Sequence, residues 1–232
     1  MQLTAHSWGT GDRVALLVHG LMADHSTWRR VGPALADRGY RVLAVDLPGH
    51  GGSPRAAGAS GVRRYSLTDM ALAVTATCPY KPDLAVGHSL GAVVLERAIQ
   101  RGLTVHRAVY SDPSWGGPPR DRAATRAYKQ ATYEQIEAAN PRWGAAAVGD
   151  EVLSLERWDP ETVTALEPLP ALPASALVPS LVLLADPSER ILPEQQGRLR
   201  ARGFELRSVA GAGHSIHRDD FHGFMEGMAG WI

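Results

Sequence analysis

The chain has 232 residues, of which 44% are hydrophobic and 21% charged, which is typical of a globular domain with one substantial core. Its 24 basic and 24 acidic residues balance, so we expect neither a nucleic-acid partner nor a polyionic substrate. Cys78 is the only cysteine, and neither a leader nor a membrane-spanning stretch is evident, so the sequence predicts a cytoplasmic protein without an internal disulfide.

Six short apolar runs predict β-strands, because each is rich in Val and Leu and ends at turn-forming residues. Their lack of strict alternation is typical of parallel strands that are buried on both faces. The predicted strands are Val14–Val18, Arg41–Val45, Leu84–Val86, Arg107–Tyr110, Leu181–Leu184 and Glu205–Val209.

Helical segments lie between these runs. Thr27–Arg38, Leu90–Arg101 and Pro193–Arg202 are each followed by a glycine, as helix C-termini commonly are. Alternating strands and helices predict a doubly wound α/β sheet. The ligand site of such a sheet lies beyond the carboxyl ends of the strands.

Two stretches interrupt the alternation. Gly49–Arg64 is rich in Gly, Ala, Ser and Arg, which predicts a mobile loop. Residues 114–178 are too long for a single crossover helix, and we predict that they form a helical cap over a core of residues 1–113 and 179–232. An ordinary surface insertion is the alternative. The predicted helical pieces are Asp121–Ala139, Trp143–Arg157 and Pro160–Leu166.

Tryptophans favour the cap over the surface insertion. Trp115, Trp143 and Trp158 fall within it, and Trp28 precedes it. Together with Met22 they indicate a substrate that has an apolar portion.

The segment Gly87-His88-Ser89-Leu90-Gly91 carries the strongest chemical signal. It matches G-x-S-x-G between a predicted strand and a predicted helix, where glycines relieve crowding around an exposed serine hydroxyl. The N-terminus of the following helix favours a developing negative charge. The pattern alone is weak, since Gly and Ser are common in loops, but its context predicts that Ser89 is a nucleophile.

A serine hydroxyl needs a base that accepts its proton. His214 fits best, because it follows the last predicted strand in a loop of small residues. His217 and His222 fall at the start of the final helix and inside it, whereas His19 and His88 flank other motif positions and are expected to be structural.

The acid that would orient His214 has three candidates. Asp186 at the end of a predicted strand is preferred, Glu189 lies three residues further on, and Asp112 ends the preceding strand. A turn-capping aspartate before proline is the alternative role for Asp186 and Asp112, and a solvated side chain is the alternative for Glu189.

An oxyanion hole needs two backbone N–H donors. Leu90 follows the nucleophile, and Leu21 lies in the loop after the first predicted strand, so we expect these two N–H groups to provide it. A plain His-Gly turn is the alternative at Leu21.

In order and spacing, these motifs resemble those of the α/β-hydrolase superfamily, in particular serine esterases and lipases. The resemblance implies a mostly parallel eight-stranded sheet, a small helical cap inserted after strand 6, and a Ser-acid-His triad. One departure is Ser188, which stands where many relatives carry the aspartate of the triad. The segments that carry the resemblance are His19-Gly20-Leu21, residues 46–53, residues 87–91 and Gly211-Ala212-Gly213-His214.

The predicted function is hydrolysis of a small, partly apolar carboxylic ester through an acyl-enzyme on Ser89. The same triad could act on a lactone, thioester, amide or carbon–carbon bond, and a small-molecule receptor that lacks catalysis is a further alternative. We expect no cofactor and no metal, because the first strand lacks G-x-G-x-x-G and no metal-ligand spacing recurs. The sequence does not indicate an oligomeric state.

Overall fold

A seven-stranded sheet lies at the centre of the computed structural model, which describes residues 1–56, 65–116, 121–166, 168 and 170–232. The strand order is β1-β3-β2-β4-β5-β6-β7, and every neighbouring pair is parallel except β1 with β3. The strands are β1 (Ala5–Trp8), β2 (Arg13–Val18), β3 (Tyr40–Val45), β4 (Leu84–His88), β5 (Ala108–Ser111), β6 (Ser180–Asp186) and β7 (Glu205–Ala210).

The six predicted strands correspond to β2 to β7, so the mostly parallel α/β architecture is confirmed. The sheet of the described residues has seven strands and not the expected eight. Sequence reasoning missed β1, an edge strand with polar residues such as His6 and Ser7 and three exposed positions. A strand with so many exposed positions lacks the continuous apolar run by which the other six strands were predicted.

Nine α-helices are present in the described ranges, with three short 3-10 helices. The predicted Leu90–Arg101 and Pro193–Arg202 are confirmed as α3 and α7, whereas Thr27–Arg38 is divided into a 3-10 helix and α1. The α-helices are α1 (Val31–Ala36), α2 (Leu67–Thr77), α3 (Leu90–Gln100), α4 (Arg122–Ala127), α5 (Tyr133–Ala139), α6 (Ala145–Arg157), α7 (Pro193–Ala201), α8 (Ile216–Asp219) and α9 (Phe221–Gly227). The 3-10 helices are His25–Trp28, Tyr128–Gln130 and Pro160–Leu166.

Helices cover both faces of the sheet, and consecutive strand residues alternate between the two resulting cores. Leu16 of β2 packs in a cluster that includes Met70 of α2, whereas Leu17 packs with Leu35 of α1. The side chains of a strand point alternately to opposite faces, so an uninterrupted apolar run fills both cores. The six predicted strands have this kind of sequence.

The helical insertion, defined as Arg122–Leu166, lies between β5 and β6. It therefore follows the fifth strand of this sheet and not the sixth. The predicted single helix Asp121–Ala139 is interrupted by a 3-10 turn and a new start, because Thr132 and Gln135 form a capping box at the start of α5. Residues 117–120, 167 and 169 of the predicted cap, and residues 57–64 of the predicted loop, lie outside the described residues.

A small hydrophobic cluster inside the insertion contacts the core domain. Ile136, Leu155 and Trp158 are buried there, and Leu21 and Met22 from the loop after β2 pack against it. This loop therefore joins the sheet to the insertion.

The tryptophans do not behave as expected. Trp28, Trp115 and Trp158 are each fully buried in hydrophobic clusters, and only Trp143 of this group lines the cavity at Ser89. Their role is therefore packing, and the apolar character of the cavity comes from other side chains. Among the helices of the described residues, none is long and apolar enough to cross a membrane.

Candidate active site

Ser89 occupies a sharp turn between β4 and α3. Its φ of +52° and ψ of −113° are rare for a residue with a side chain, and its N–H donates to the Ser111 carbonyl at 3.0 Å. A Cβ at Gly87 would lie 2.6 Å from Ala92 Cα, and one at Gly91 would lie 2.2 Å from the Val18 carbonyl oxygen. The two glycines of the motif are thus required by close backbone approach.

Ser89, His214 and Asp112 form one chain of hydrogen bonds. The Nε2 atom of His214 lies 2.9 Å from Ser89 Oγ, and its Nδ1 atom lies 2.6 Å from Asp112 Oδ2. Because an ionised carboxylate only accepts, Nδ1 carries the ring proton and Nε2 is free to accept from the serine hydroxyl. The two ring nitrogens of His214 thus connect the Ser89 hydroxyl to the Asp112 carboxylate.

The Asp112 carboxylate is buried and firmly held. Its side chain is 1% exposed, and its second oxygen accepts a hydrogen bond from Ser188 Oγ at 3.1 Å. The backbone φ of Asp112 is +38°, a conformation that aspartate tolerates better than most residues. This turn places the carboxylate beside the imidazole.

The structure does not bring Asp186, the preferred candidate for the acid, into contact with His214. Asp186 ends β6 with an exposed side chain, and within the described ranges neither it nor the exposed Glu189 hydrogen bonds to His214. The reason is strand order: β5 is the neighbour of β4, so the turn after β5 ends beside Ser89. Ser188 occupies part of the Asp186–Glu189 turn and contacts Asp112 instead.

His88 links the nucleophile turn to the loop that carries the base. Its Nε2 donates to the His214 carbonyl oxygen at 2.9 Å. Burial, together with the nearby His214 and His217, holds the pKa of His88 well below its usual range, so the ring stays neutral. The expectation of a structural histidine fits this contact.

Sequence reasoning missed Ser114. Its buried hydroxyl lies 3.2 Å from Ser89 Oγ. The only signal was its position two residues after a strand-end aspartate, which does not distinguish it from other turn serines. His217, by contrast, bonds to Thr27 Oγ1 at 2.7 Å and not to Ser89.

The two expected oxyanion donors belong to segments that lie next to the nucleophile. A Cβ at Gly20, next to Leu21, would be only 3.2 Å from Ser89 Cβ, so this loop passes directly beside the serine. Leu90 is the first residue of α3, whose first N–H groups have no partner within the helix. Within the described ranges, neither the Leu21 nor the Leu90 N–H donates a hydrogen bond.

A cavity of about 750 Å³ opens above Ser89, between the strand ends and the helical insertion. Leu21, Met22 and Ala23 give it apolar walls, and Tyr128 and Trp143 of the insertion complete it. Its size suits a small organic molecule.

A separate cluster of Asp24, His25 and Asp46 offers ligand atoms within 4.8 Å of one another. These atoms already have partners: Arg157 lies 2.7 Å from Asp24, and His25 Nδ1 lies 2.9 Å from Asp46. A cation would have to displace Arg157. The cluster therefore fits a structural role, in which Arg157 of α6 connects the insertion to the loop after β2.

Comparison with known sequences identifies the family. The sequence model of the Alpha/beta hydrolase family matches residues 15–226 of this chain. The chain belongs to this family. The resemblance predicted from the motifs is thereby confirmed.

Among curated proteins, the pimeloyl-[acyl-carrier protein] methyl ester esterase of Aeromonas hydrophila is 42% identical over 94 residues, which is 40% of this chain and 34% of the relative. Epoxide hydrolase A of Mycobacterium tuberculosis is 38% identical over 88 residues, or 38% of this chain and 27% of the relative. The matches thus span about a third of the length of these relatives.

Solved structures agree on the fold over nearly the whole chain. The N-formylmaleamic acid deformylase of Pseudomonas putida superposes with a TM-score of 0.81 at 24% identity, covering 97% of this chain and 94% of that one. A thermophilic esterase of Thermogutta terrifontis gives a TM-score of 0.75 at 20% identity, covering 99% and 92%.

Proposed function

We propose that this α/β-hydrolase cleaves carboxylic esters through an acyl-enzyme on Ser89. The observation that carries the proposal is the continuous hydrogen-bond chain from Ser89 through His214 to Asp112. Asp112 thus takes the role that sequence reasoning preferred to give to Asp186.

His214 Nε2 accepts the hydroxyl proton while Ser89 Oγ attacks the ester carbonyl carbon. The imidazolium then forms between Ser89 and Asp112, whose buried charge stabilises it. His214 gives the proton to the departing alkoxide, so the alcohol leaves and the acyl group stays on Oγ. A water molecule, deprotonated by His214, releases the carboxylic acid and restores the serine.

The Leu21 and Leu90 N–H groups hold the carbonyl oxygen as it becomes an oxyanion. Both lack partners within the described residues and belong to segments next to Ser89, as this role requires. We expect the oxyanion to bind these donors more strongly than the carbonyl oxygen of the substrate does.

The substrate is a small ester with an apolar portion, and the helical insertion serves as its cap. Support comes from the size of the cavity and from the walls formed by Leu21 and Met22. The methyl ester esterase among the relatives supports ester chemistry, although only about a third of its length is matched. Neither a cofactor nor a metal takes part in this mechanism, and we keep the prediction of a cytoplasmic location.

The test combines labelling with turnover. We expect a fluorophosphonate to label Ser89 stoichiometrically and p-nitrophenyl esters to be hydrolysed, with both signals lost in Ser89→Ala. Mass spectrometry of the labelled peptide identifies the serine. Labelling without turnover of esters, thioesters, lactones or amides would contradict the proposal and favour a small-molecule receptor.

A further inference from the structure

The cavity above Ser89 contains a buried ion pair that the proposed triad does not use. Arg218 Nη1 lies 2.6 Å from Glu151 Oε2, and the two side chains are only 5% and 7% exposed. Arg218 belongs to α8, four residues after His214, whereas Glu151 belongs to α6 of the insertion. Both residues line the same cavity as Ser89.

The Arg218 guanidinium has an unused donor. Its Nη2 atom is buried and has no hydrogen-bond partner among the residues that the structure describes. The Trp143 ring lies over the guanidinium, with 4.4 Å between Cζ and the ring centroid. This contact stabilises the charge but offers the N–H group no acceptor oxygen.

Stability does not account for this arrangement. A buried ion pair is seldom more stabilising than apolar side chains of the same volume, because both charges lose their hydration. A buried donor without an acceptor adds a further cost. Both costs are offset where a ligand supplies the missing acceptor.

We propose that Arg218 binds a neutral hydrogen-bond acceptor of the substrate, such as a keto, amide or second ester carbonyl oxygen, remote from the bond that is cleaved. This inference rests on the proposed esterase function and specifies its substrate class. The free Nη2 group suits a single oxygen.

Glu151 excludes a carboxylate as the preferred ligand. It compensates the charge of Arg218 and occupies Nη1, so a carboxylate would find no uncompensated positive charge there. Asp219 holds Trp143 through a 2.9 Å bond from Nε1 and adds another acidic group to the lining.

Trp143 is the side chain whose ring lies over the Arg218 guanidinium. Trp143 lies in the turn between α5 and α6, is partly exposed and lines the cavity. We expect its ring to shift aside when the acceptor oxygen enters, because Nη2 itself has no contact with solvent.

The experiment compares matched esters. One series consists of p-nitrophenyl alkanoates of four to ten carbons, the same chains with one methylene replaced by a ketone carbonyl, and the same chains ending in a carboxylate. A second series makes these replacements in the alcohol half of acetate esters, assayed by proton release. We expect one oxo ester to exceed its alkyl parent roughly tenfold or more in kcat/KM, as one charged hydrogen bond allows, without such a gain for the carboxylate.

Two variants test the assignment to Arg218. Glu151→Gln removes the compensating charge, so the preference should move to the carboxylate ester, again roughly tenfold. In the double variant Arg218→Met with Glu151→Met, which leaves no unpaired charge, the oxo-to-alkyl ratio should fall to about one. The exposed pair of Glu194 and Arg198, changed to Met in the same way, is the control and should keep the ratio of the unmodified protein.

Equal kcat/KM for oxo and alkyl esters at every position, or a ratio that survives the double variant, would overturn the inference. If the double variant does not fold, the unmodified protein and Glu151→Gln still decide the question. Absence of hydrolysis of every ester together with absence of fluorophosphonate labelling would instead contradict the proposed function.

Discussion

His214 Nδ1 lies 2.6 Å from Asp112 Oδ2, although the two residues are 102 positions apart in the chain. The contact joins the loop after β7 to the turn after β5 and leaves β6 between them. It sets the tautomer of His214, so that the nitrogen facing Ser89 is the one without a proton.

Replacing Asp112 should separate the two candidate acids. In Asp112→Asn the amide no longer favours the Nδ1–H tautomer, so kcat should fall by about 10³–10⁴-fold with little change in KM. The matched variant Asp186→Asn should stay within about twofold of the unmodified protein, because its side chain is exposed and apart from His214. Steady-state kinetics with a p-nitrophenyl ester checks both. A larger loss in Asp186→Asn than in Asp112→Asn would contradict the assignment.

Because of the backbone conformation at position 89, the Ser89→Gly protein should be more stable than the Ser89→Ala protein. Both substitutions remove the hydroxyl, but only glycine adopts φ +52° without strain, which costs roughly 1–3 kcal/mol for other residues. Glycine loses about 0.5–1 kcal/mol of this gain through backbone entropy. We therefore expect Ser89→Gly to unfold at a higher temperature than Ser89→Ala, by about 2–4 °C. Equal melting temperatures in calorimetry would argue against a strained turn.

Two glycine substitutions should have opposite effects. Gly91→Ala forces α3 away from the Val18 and His19 carbonyl oxygens, so the free energy of unfolding should fall by roughly 1–3 kcal/mol. We also expect kcat to fall, because the Leu90 N–H moves with the helix. Gly149 lies within α6 with no neighbouring atom within 4 Å of the added Cβ, so Gly149→Ala should stabilise by roughly 0.5–1 kcal/mol. Urea unfolding measures both changes.

The buried carboxyl group of Asp46 should make the free energy of unfolding depend on pH. Burial alone would raise its pKa, but hydrogen bonds from His25 and backbone N–H groups, with the charge of His19, lower it to about 2. A carboxyl whose pKa is lower in the folded state stabilises the fold above its unfolded value near 4, and this contribution, about 2 kcal/mol, disappears as the pH falls toward 2.

Urea unfolding between pH 2 and 7 measures this contribution. The stability difference between the unmodified protein and Asp46→Asn should be constant between about pH 5 and 6.5 and shrink below pH 4. His25 acts in the opposite direction, because its hydrogen bond with Asp46 raises its pKa: its contribution is complete below about pH 6.5 and is lost as the pH rises. His25→Gln should remove that upper change. A difference that grows on acidification would contradict the assignment to Asp46.

The sequence was sufficient to predict six strands and to single out Ser89 and His214, whose side chains lie 2.9 Å apart, because these features are local. An apolar run reports burial on both faces, and G-x-S-x-G between a strand and a helix reports a tight turn. The edge strand β1 has no such run.

The carboxylate that contacts His214 could not be predicted from local sequence. Asp112 and Asp186 both follow buried strands and both precede proline, so composition and order cannot separate them. The choice depends on strand order and on the direction of two turns, which only the assembled sheet defines. In the same way, the pairing of Arg218 with Glu151 joins segments 67 positions apart and leaves no pattern in either one.

Leu21 and Met22 line the cavity near Ser89. The same two residues pack against the cluster of Ile136 and Trp158 in the insertion. The insertion is therefore not an interchangeable module. Grafting a different set of helices between β5 and β6 would leave this loop without its packing partners, and so disturb the Leu21 N–H. A successful exchange of insertions would have to carry matching residues at positions 21 and 22.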